Sequence, residues 1–205
     1  ANVDAASGTA MVMTGSYANI NGIPSASVFN LSKRASEPIL YDPQIVGHNT
    51  SEKFSPERLK VSTLSDEVRV NNGGLGYVYS IAADAQMAVL LAGHAANSAF
   101  WIDDATGKWA SSSFYKEQPQ CVGNRNHTSP LSVRMDTMSW EPAISLDLYP
   151  DIPEVKRFYK FRYIFPQSSV DRFRMYKESA LVNEEITTVA IDHIRSMSLG
   201  KRGQT

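Results

Sequence analysis

The sequence predicts an α/β fold, and three observations carry the prediction. Residues 87–92 (MAVLLA) are apolar throughout, so whatever element they form is buried on every side. After the break at Gly93-His94, the segments SAFWIDD and KWASSSFY are rich in β-favouring aromatics. They are joined across residues 104–107, where Asp104 and Gly107 suit a tight reversal, which predicts a β-hairpin over 98–115. Helix patterns at 55–70 and 179–198 alternate with these strands, the arrangement expected when helices cover a sheet.

Each element has its own reason. Residues 5–23 (AASGTAMVMTGSYANINGI) combine small residues with Gly turns, so a helix N-terminus there could approach a ligand closely and would suit an anion. Residues 27–54, with Pro38, Pro43 and scattered polar side chains, read as a surface excursion in which His48 is a solvent-exposed loop histidine. Ser55-Pro56-Glu57 opens a helix with an N-cap, a first-turn proline and an acid; Leu59, Thr63, Leu64 and Val68 form its apolar face, and NNGG at 71–74 ends it. A strand follows at 76–82 (GYVYSIA), then a polar turn, Asp84-Ala85-Gln86.

Beyond the hairpin, Cys121 reads as a small buried hydrophobe and His127 as a residue of a polar loop without a role. Residues 155–177 interleave aromatic and basic side chains, a pattern that can stack bases over a basic groove or simply form a ribbon with aromatics inward and cations outward. The formal net charge of −1 favours the ribbon. In the last helix, Val182, Ile186, Val189, Ala190, His193, Ile194 and Met197 mark one buried face, His193 reads as a satisfied core histidine, and Leu199-Gly200 closes the helix.

Composition narrows the function classes. A chain of 205 residues, 42% apolar and 20% charged, suits a single folded domain spanning 1–205. Near-neutral charge gives no footprint for nucleic acid or an anionic membrane, and one cysteine excludes an internal disulfide and a cysteine-based zinc site. No run reaches membrane-spanning length, and residues 1–30 lack a signal-peptide pattern.

The central words are also familiar. The segment AVLLAGHAANSAFWIDDATGKW, followed by SSSFY, resembles the periplasmic alkaline phosphatases of the Bacteroidetes type, in the alkaline phosphatase superfamily that includes nucleotide pyrophosphatases and phosphodiesterases. Gly8, Thr14-Gly15 and Gly22-Ile23 fall in register with the family's earlier motif, and Trp140, Pro142, Phe165-Pro166, Asn183 and Leu199-Gly200 with its later ones. The resemblance implies a parallel sheet flanked by helices, with cap-like insertions around 27–54 and 105–178, as the middle section of a larger phosphatase domain. It implies zinc-dependent hydrolysis of phosphate esters through a phosphorylated Thr or Ser, and a periplasmic or secreted location.

The site positions depart from that pattern. Ala5 stands where the family has its nucleophilic hydroxyl, Ala26 where an Asn donates to the phosphoryl oxygens, and Asp84 and Gln86 where Lys and Arg clamp the phosphate. A shifted register could recruit Ser7 or Thr9 as nucleophile. The family's metal ligands fall before and after this segment, so no metal ligand is assigned here and the chain is expected to hold no cofactor. Three readings compete: a hydrolase with a rearranged site, a catalytically inactive phosphatase fold that binds a glycan, a lipid headgroup or a protein, and an unrelated module sharing only the fold. As a section of a larger domain, the chain is expected to expose a sheet edge and pair as a homodimer.

Overall fold

The computed structural model describes residues 4–116, 118, 120–151, 153 and 162–200. The first helix, α1 (Ala5–Thr14), begins where Asp4 accepts the Ser7 amide, and it ends at Gly15 in the left-handed region. A one-turn helix, α2 (Ala18–Asn21), follows. The excursion is a hairpin of β1 (Ser27–Asn30) and β2 (Ala35–Pro38), mostly exposed, after which Ile39, Leu40 and Phe54 return to the core.

The helix expected over 55–70 is two elements. Ser55 caps only a 3₁₀ turn, Pro56–Arg58, which closes when the Leu59 amide bonds the Pro56 carbonyl at 2.8 Å. The true helix, α3 (Leu64–Asn71), starts after Thr63, which exchanges bonds with Asp66 in a capping box. A threonine followed three residues later by an acid outcompetes the upstream Ser-Pro-Glu because it satisfies two free amides reciprocally. Leu59 is buried, but Leu64 is 63% and Val68 43% exposed, so the expected apolar face of this helix is open to solvent.

The apolar run forms α4 (Ala85–Ala92), with Ala88, Val89, Leu90 and Ala92 fully buried. It connects β4 (Tyr79–Ile81) to β5 (Ser98–Ile102), which pair in parallel, as a strand–helix–strand crossover requires. The expected hairpin is present: β6 (Trp109–Ser112) runs back antiparallel beside β5, and β3 (Gly47–His48) adds to its outer side. The order is β3-β6-β5-β4, so the sheet is mixed: β4–β5 is its parallel pair, and the tight reversal at 103–107 makes the β5–β6 pair antiparallel.

Alternation along β5 divides the core in two. Ala99 and Trp101 point into a cluster with Ala6, Ala10 of α1 and Ala88, Val89 of α4. Phe100 and Ile102 point the other way, onto Val122, Leu131, Met135, Phe173, Tyr176, Val182 and Val189. Helices therefore cover both faces, and this is why β5 and β6 are buried at every position. Full burial of a side chain such as Ile102 contributes about 1.5–3 kcal/mol.

The second layer comprises α5 (Gln120–Thr128), α6 (Leu131–Arg134), α7 (Arg172–Lys177) and α8 (Leu181–Ser196), with a small β7–β8 ribbon of Ser139–Trp140 and Tyr163–Ile164. The ribbon expected over 155–177 holds only at β8. Residues 154–161 lie outside the described residues, and 172–177 is helical because Phe173 and Tyr176, one turn apart, both enter the core. The last helix stops at Ser196, four residues before the glycine expected to close it. Ser198 takes the left-handed conformation instead, and the Leu199 amide reaches back to the Ile194 carbonyl.

Candidate functional site

The six residues singled out by sequence gather on α1, α4 and the loop before β1, and both helices begin on an aspartate. Asp4 was missed by the sequence reading. Its Oδ1 accepts the Ser7 amide at 2.9 Å and its Oδ2 the Ala26 amide at 2.6 Å, so one carboxylate joins the N-terminus of α1 to the position of Ala26. The Ser7 amide, with the Ala26 amide assisting, holds the Asp4 carboxyl below the usual carboxylate range against some opposition from burial. A residue with a short acidic side chain immediately before an apolar-small helix start was the available signal.

Ala5 occupies the first helical position with an exposed methyl group. Ser7 is 3% exposed, and its hydroxyl donates to the Asp4 carbonyl at 3.3 Å. Thr9 turns its hydroxyl into the α1–α4 contact, donating to Met87 Sδ at 3.1 Å. Both hydroxyls are thus engaged inside the fold.

Asp84 repeats the arrangement on α4, accepting the Gln86 and Met87 amides at 2.9 and 3.2 Å. The polar turn expected at 84–86 is this cap and the first turn of the helix. Gln86 keeps its Oε1 buried with no hydrogen-bond partner. Helix N-termini favour negative charge and offer free amides. In this chain Asp4 takes the Ser7 amide of α1 and Asp84 takes the Gln86 and Met87 amides of α4, and the two carboxylates make the surroundings acidic.

Other polar clusters serve packing. Asp66 accepts the amides of His94 and Ala95, each at 2.7 Å, and meets His94 Nδ1 at 3.1 Å, fixing the turn after α4. Gly93 is required there: its φ is 69°, and a Cβ would strike Thr63 and Asp66. Cys121 differs from its expected role, being partly exposed with its Sγ 3.3 Å from Nδ1 of His193, which is itself 2% exposed as expected for a core histidine. His127 lies on α5, not in a loop. Among the described residues no three His, Cys, Asp or Glu side chains converge to hold a metal ion. The described residues do not fit a zinc site.

The architecture, helices on both faces of a mixed sheet with two helix N-termini at the candidate site, is that of an α/β fold. No protein-family model matches the chain. It is 27% identical over 213 residues to alkaline phosphatase PhoV of Synechococcus elongatus, covering 98% of this chain and 39% of that protein. It is 26% identical over 157 residues to alkaline phosphatase PafA of Elizabethkingia meningoseptica, covering 72% and 28%, and 28% identical over 146 residues to a calcium-transporting ATPase of Myroides odoratus, covering 69% and 26%. A crystal structure of a PafA variant, with one threonine changed to serine and an asparagine, a lysine and an arginine changed to alanine, superimposes with a TM-score of 0.79 at 22% identity. That match covers 98% of this chain and 42% of that one. The chain is thus similar to alkaline phosphatases in sequence and shares the fold of PafA, and it spans about two-fifths of the length of PhoV.

Proposed function

We propose that this chain is a phosphatase-fold section that does not carry out phosphoryl transfer, and that any role it has at this site is binding. The observation that carries the reading is the Asp4 carboxylate, which takes the Ser7 and Ala26 amides where an anion would bind the end of α1. The threonine and asparagine altered in the PafA variant are separated by the same number of residues as Ala5 and Ala26, and its lysine and arginine by the same interval as Asp84 and Gln86. On that correspondence a methyl replaces a hydroxyl, a second methyl an amide donor, a carboxylate one cation and an amide the other. Asp84 would repel a phosphate that a lysine would attract, and Gln86 lacks the bidentate charged fork of arginine.

Ser7 and Thr9 do not rescue the chemistry, because each hydroxyl is already committed within the fold. Phosphodiesterase or pyrophosphatase activity would need the same nucleophile and clamp, and falls with them. Binding of a glycan, a lipid headgroup or a protein partner at this end of the fold remains the alternative of the same class, in a periplasmic or secreted protein.

The test is turnover of an aryl phosphate monoester and an aryl phosphodiester by the 205-residue chain, with and without added zinc. The expected result is no rate above the buffer. Zinc-stimulated turnover abolished by Ser7→Ala or Thr9→Val would overturn the reading and restore a hydrolase with a shifted nucleophile.

A further inference from the structure

At the other end of α4, a helix length of about 12 Å from Asp84 at 1.5 Å per residue, lies a cleft of about 440 Å³ between the end of α3, the turn after α4 and the segment after β6. Its walls include Arg69, Val70, His94, Asn97, Phe114 and Lys116. Three of these are cationic or titratable to cations, and none is a carboxylate.

The charges are not equivalent. His94 is matched by Asp66, and both ring nitrogens are engaged, Nδ1 with Asp66 at 3.1 Å and Nε2 with the Leu59 carbonyl at 3.0 Å. It contributes no donor to the cleft. Arg69 is different: it reaches the Gly76 carbonyl and Asn97 Oδ1, both uncharged acceptors and both through one terminal nitrogen. That contact aims the guanidinium without neutralising it. Lys116 is exposed, and among the described residues neither it nor Arg69 is paired with a carboxylate. A cation in the last turn of α3 complements the helix dipole, which accounts for Arg69 in part, but Lys116 lies on no helix and has no such role.

Beside the two cations the walls are apolar, with Val70, Ala95 and the ring of Phe114, which is held edge-on to Tyr115 at 5.2 Å. A guanidinium held through one terminal nitrogen, an exposed ammonium and an aromatic wall are complementary to an oxyanion carried on a short apolar body. We propose that this cleft binds a small organic anion, a carboxylate or phosphate group attached to an apolar or aromatic group. The proposal is independent of the reading of the α1–α4 site.

The test is titration of the 15N-labelled 205-residue chain with phenylacetate, phenyl phosphate, benzyl alcohol and benzylamine, following backbone amide shifts. Both anions should saturate, with shifts concentrated at residues 69–74, 94–97 and 114–116, and their relative affinities identify the preferred head group. Added salt should weaken binding, and Arg69→Gln should abolish it. Should Arg69→Gln fail to fold, Lys116→Glu decides, since Lys116 is exposed and makes no hydrogen bond or ion pair among the described residues, and it should weaken both anions at least about tenfold. Equal binding of benzyl alcohol, insensitivity to Lys116→Glu, or shifts confined to residues 4–8 and 84–87 would each overturn the proposal.

Discussion

Glu52 puts a carboxylate beside the buried β5, where the Trp101 indole N–H donates to it at 2.8 Å. Burial pushes its pKa up to about 7, against the lowering effect of that bond. A carboxyl whose folded pKa lies above its unfolded value gives its full share of stability below the unfolded value of 4.5 and loses it as pH rises through about 7. Glu52→Gln keeps an acceptor for Trp101 and removes the charge. It is expected to stabilise the fold above neutral pH by roughly 1–2 kcal/mol, after allowing for partial exposure, and to change little at about pH 4. Urea denaturation at the two pH values measures this.

His94 and Asp66 work in opposite directions. The Asp66 bond raises the His94 pKa above the usual imidazole value against burial. Burial would raise that of Asp66, but the bonds from His94, Thr63 and Ala95 outweigh it and hold the carboxyl well below its ordinary range. Asp66 therefore stabilises above the unfolded carboxylate pKa and loses this as pH falls through its folded value. His94 stabilises below the unfolded imidazole pKa and loses this as pH rises through its folded value. Both nitrogens of His94 face acceptors, so the ring is fully bonded only as the imidazolium. His94→Gln should cost about 1.5–3 kcal/mol at about pH 6 and flatten the decline of stability above neutrality. Denaturant midpoints across that range provide the check.

At the scale of elements, one carboxylate holds the second helical layer to the sheet. Glu185 of α8 is 3% exposed and takes Arg125 of α5 through two bonds of 2.8 Å, Arg134 of α6 at 2.6 Å and the Trp109 indole of β6 at 3.0 Å. Burial opposes the charge, but these partners lower its pKa to about 2. Its contribution is present above the unfolded value and is lost as pH falls toward about 2. Glu185→Ala would leave two partly buried guanidiniums facing each other, and a loss of about 3–5 kcal/mol is expected. A smaller loss in thermal denaturation would mean that water replaces the carboxylate. The sequence offered little warning of this: Glu185 sits one residue from the expected apolar face at Ile186, and its partners are 51 to 76 positions away.

At the scale of the whole molecule, β4 is the edge of the four-stranded sheet. Beside it a groove of about 410 Å³ runs between α3 and α8, with Leu64, Val68, Tyr77 and Ile194 on its walls. These side chains are 63%, 43%, 38% and 50% exposed. An open strand edge beside apolar side chains favours association with a second chain. The chain is expected to form a dimer through this face, which Val68→Lys with Ile194→Lys should dissociate. Sedimentation across a concentration series tests it, and a monomer at high concentration would show that the groove is stable in water.

Local patterns sufficed for much of this protein. The unbroken apolar run of α4, the aromatic hairpin of β5 and β6 and most of the periodic face of α8 depend on neighbours in sequence, although Ile194, expected on that face, is 50% exposed. The placement of α3 did not follow, because two capping signals eight residues apart competed, and the turn after α4, closing on Asp66, reinforces the capping box of the second. Nor did the engagement of Thr9 with Met87, or the meeting of Asp4 with Ala26, since each bond joins groups whose approach is set by packing. Sequence by itself determined the buried helix and the hairpin around which the sheet is built, because their patterns are local. Tertiary structure alone decided that the Ala26 amide is occupied by Asp4, because a hydrogen bond between positions 4 and 26 exists only once α1 and the chain before β1 are brought together.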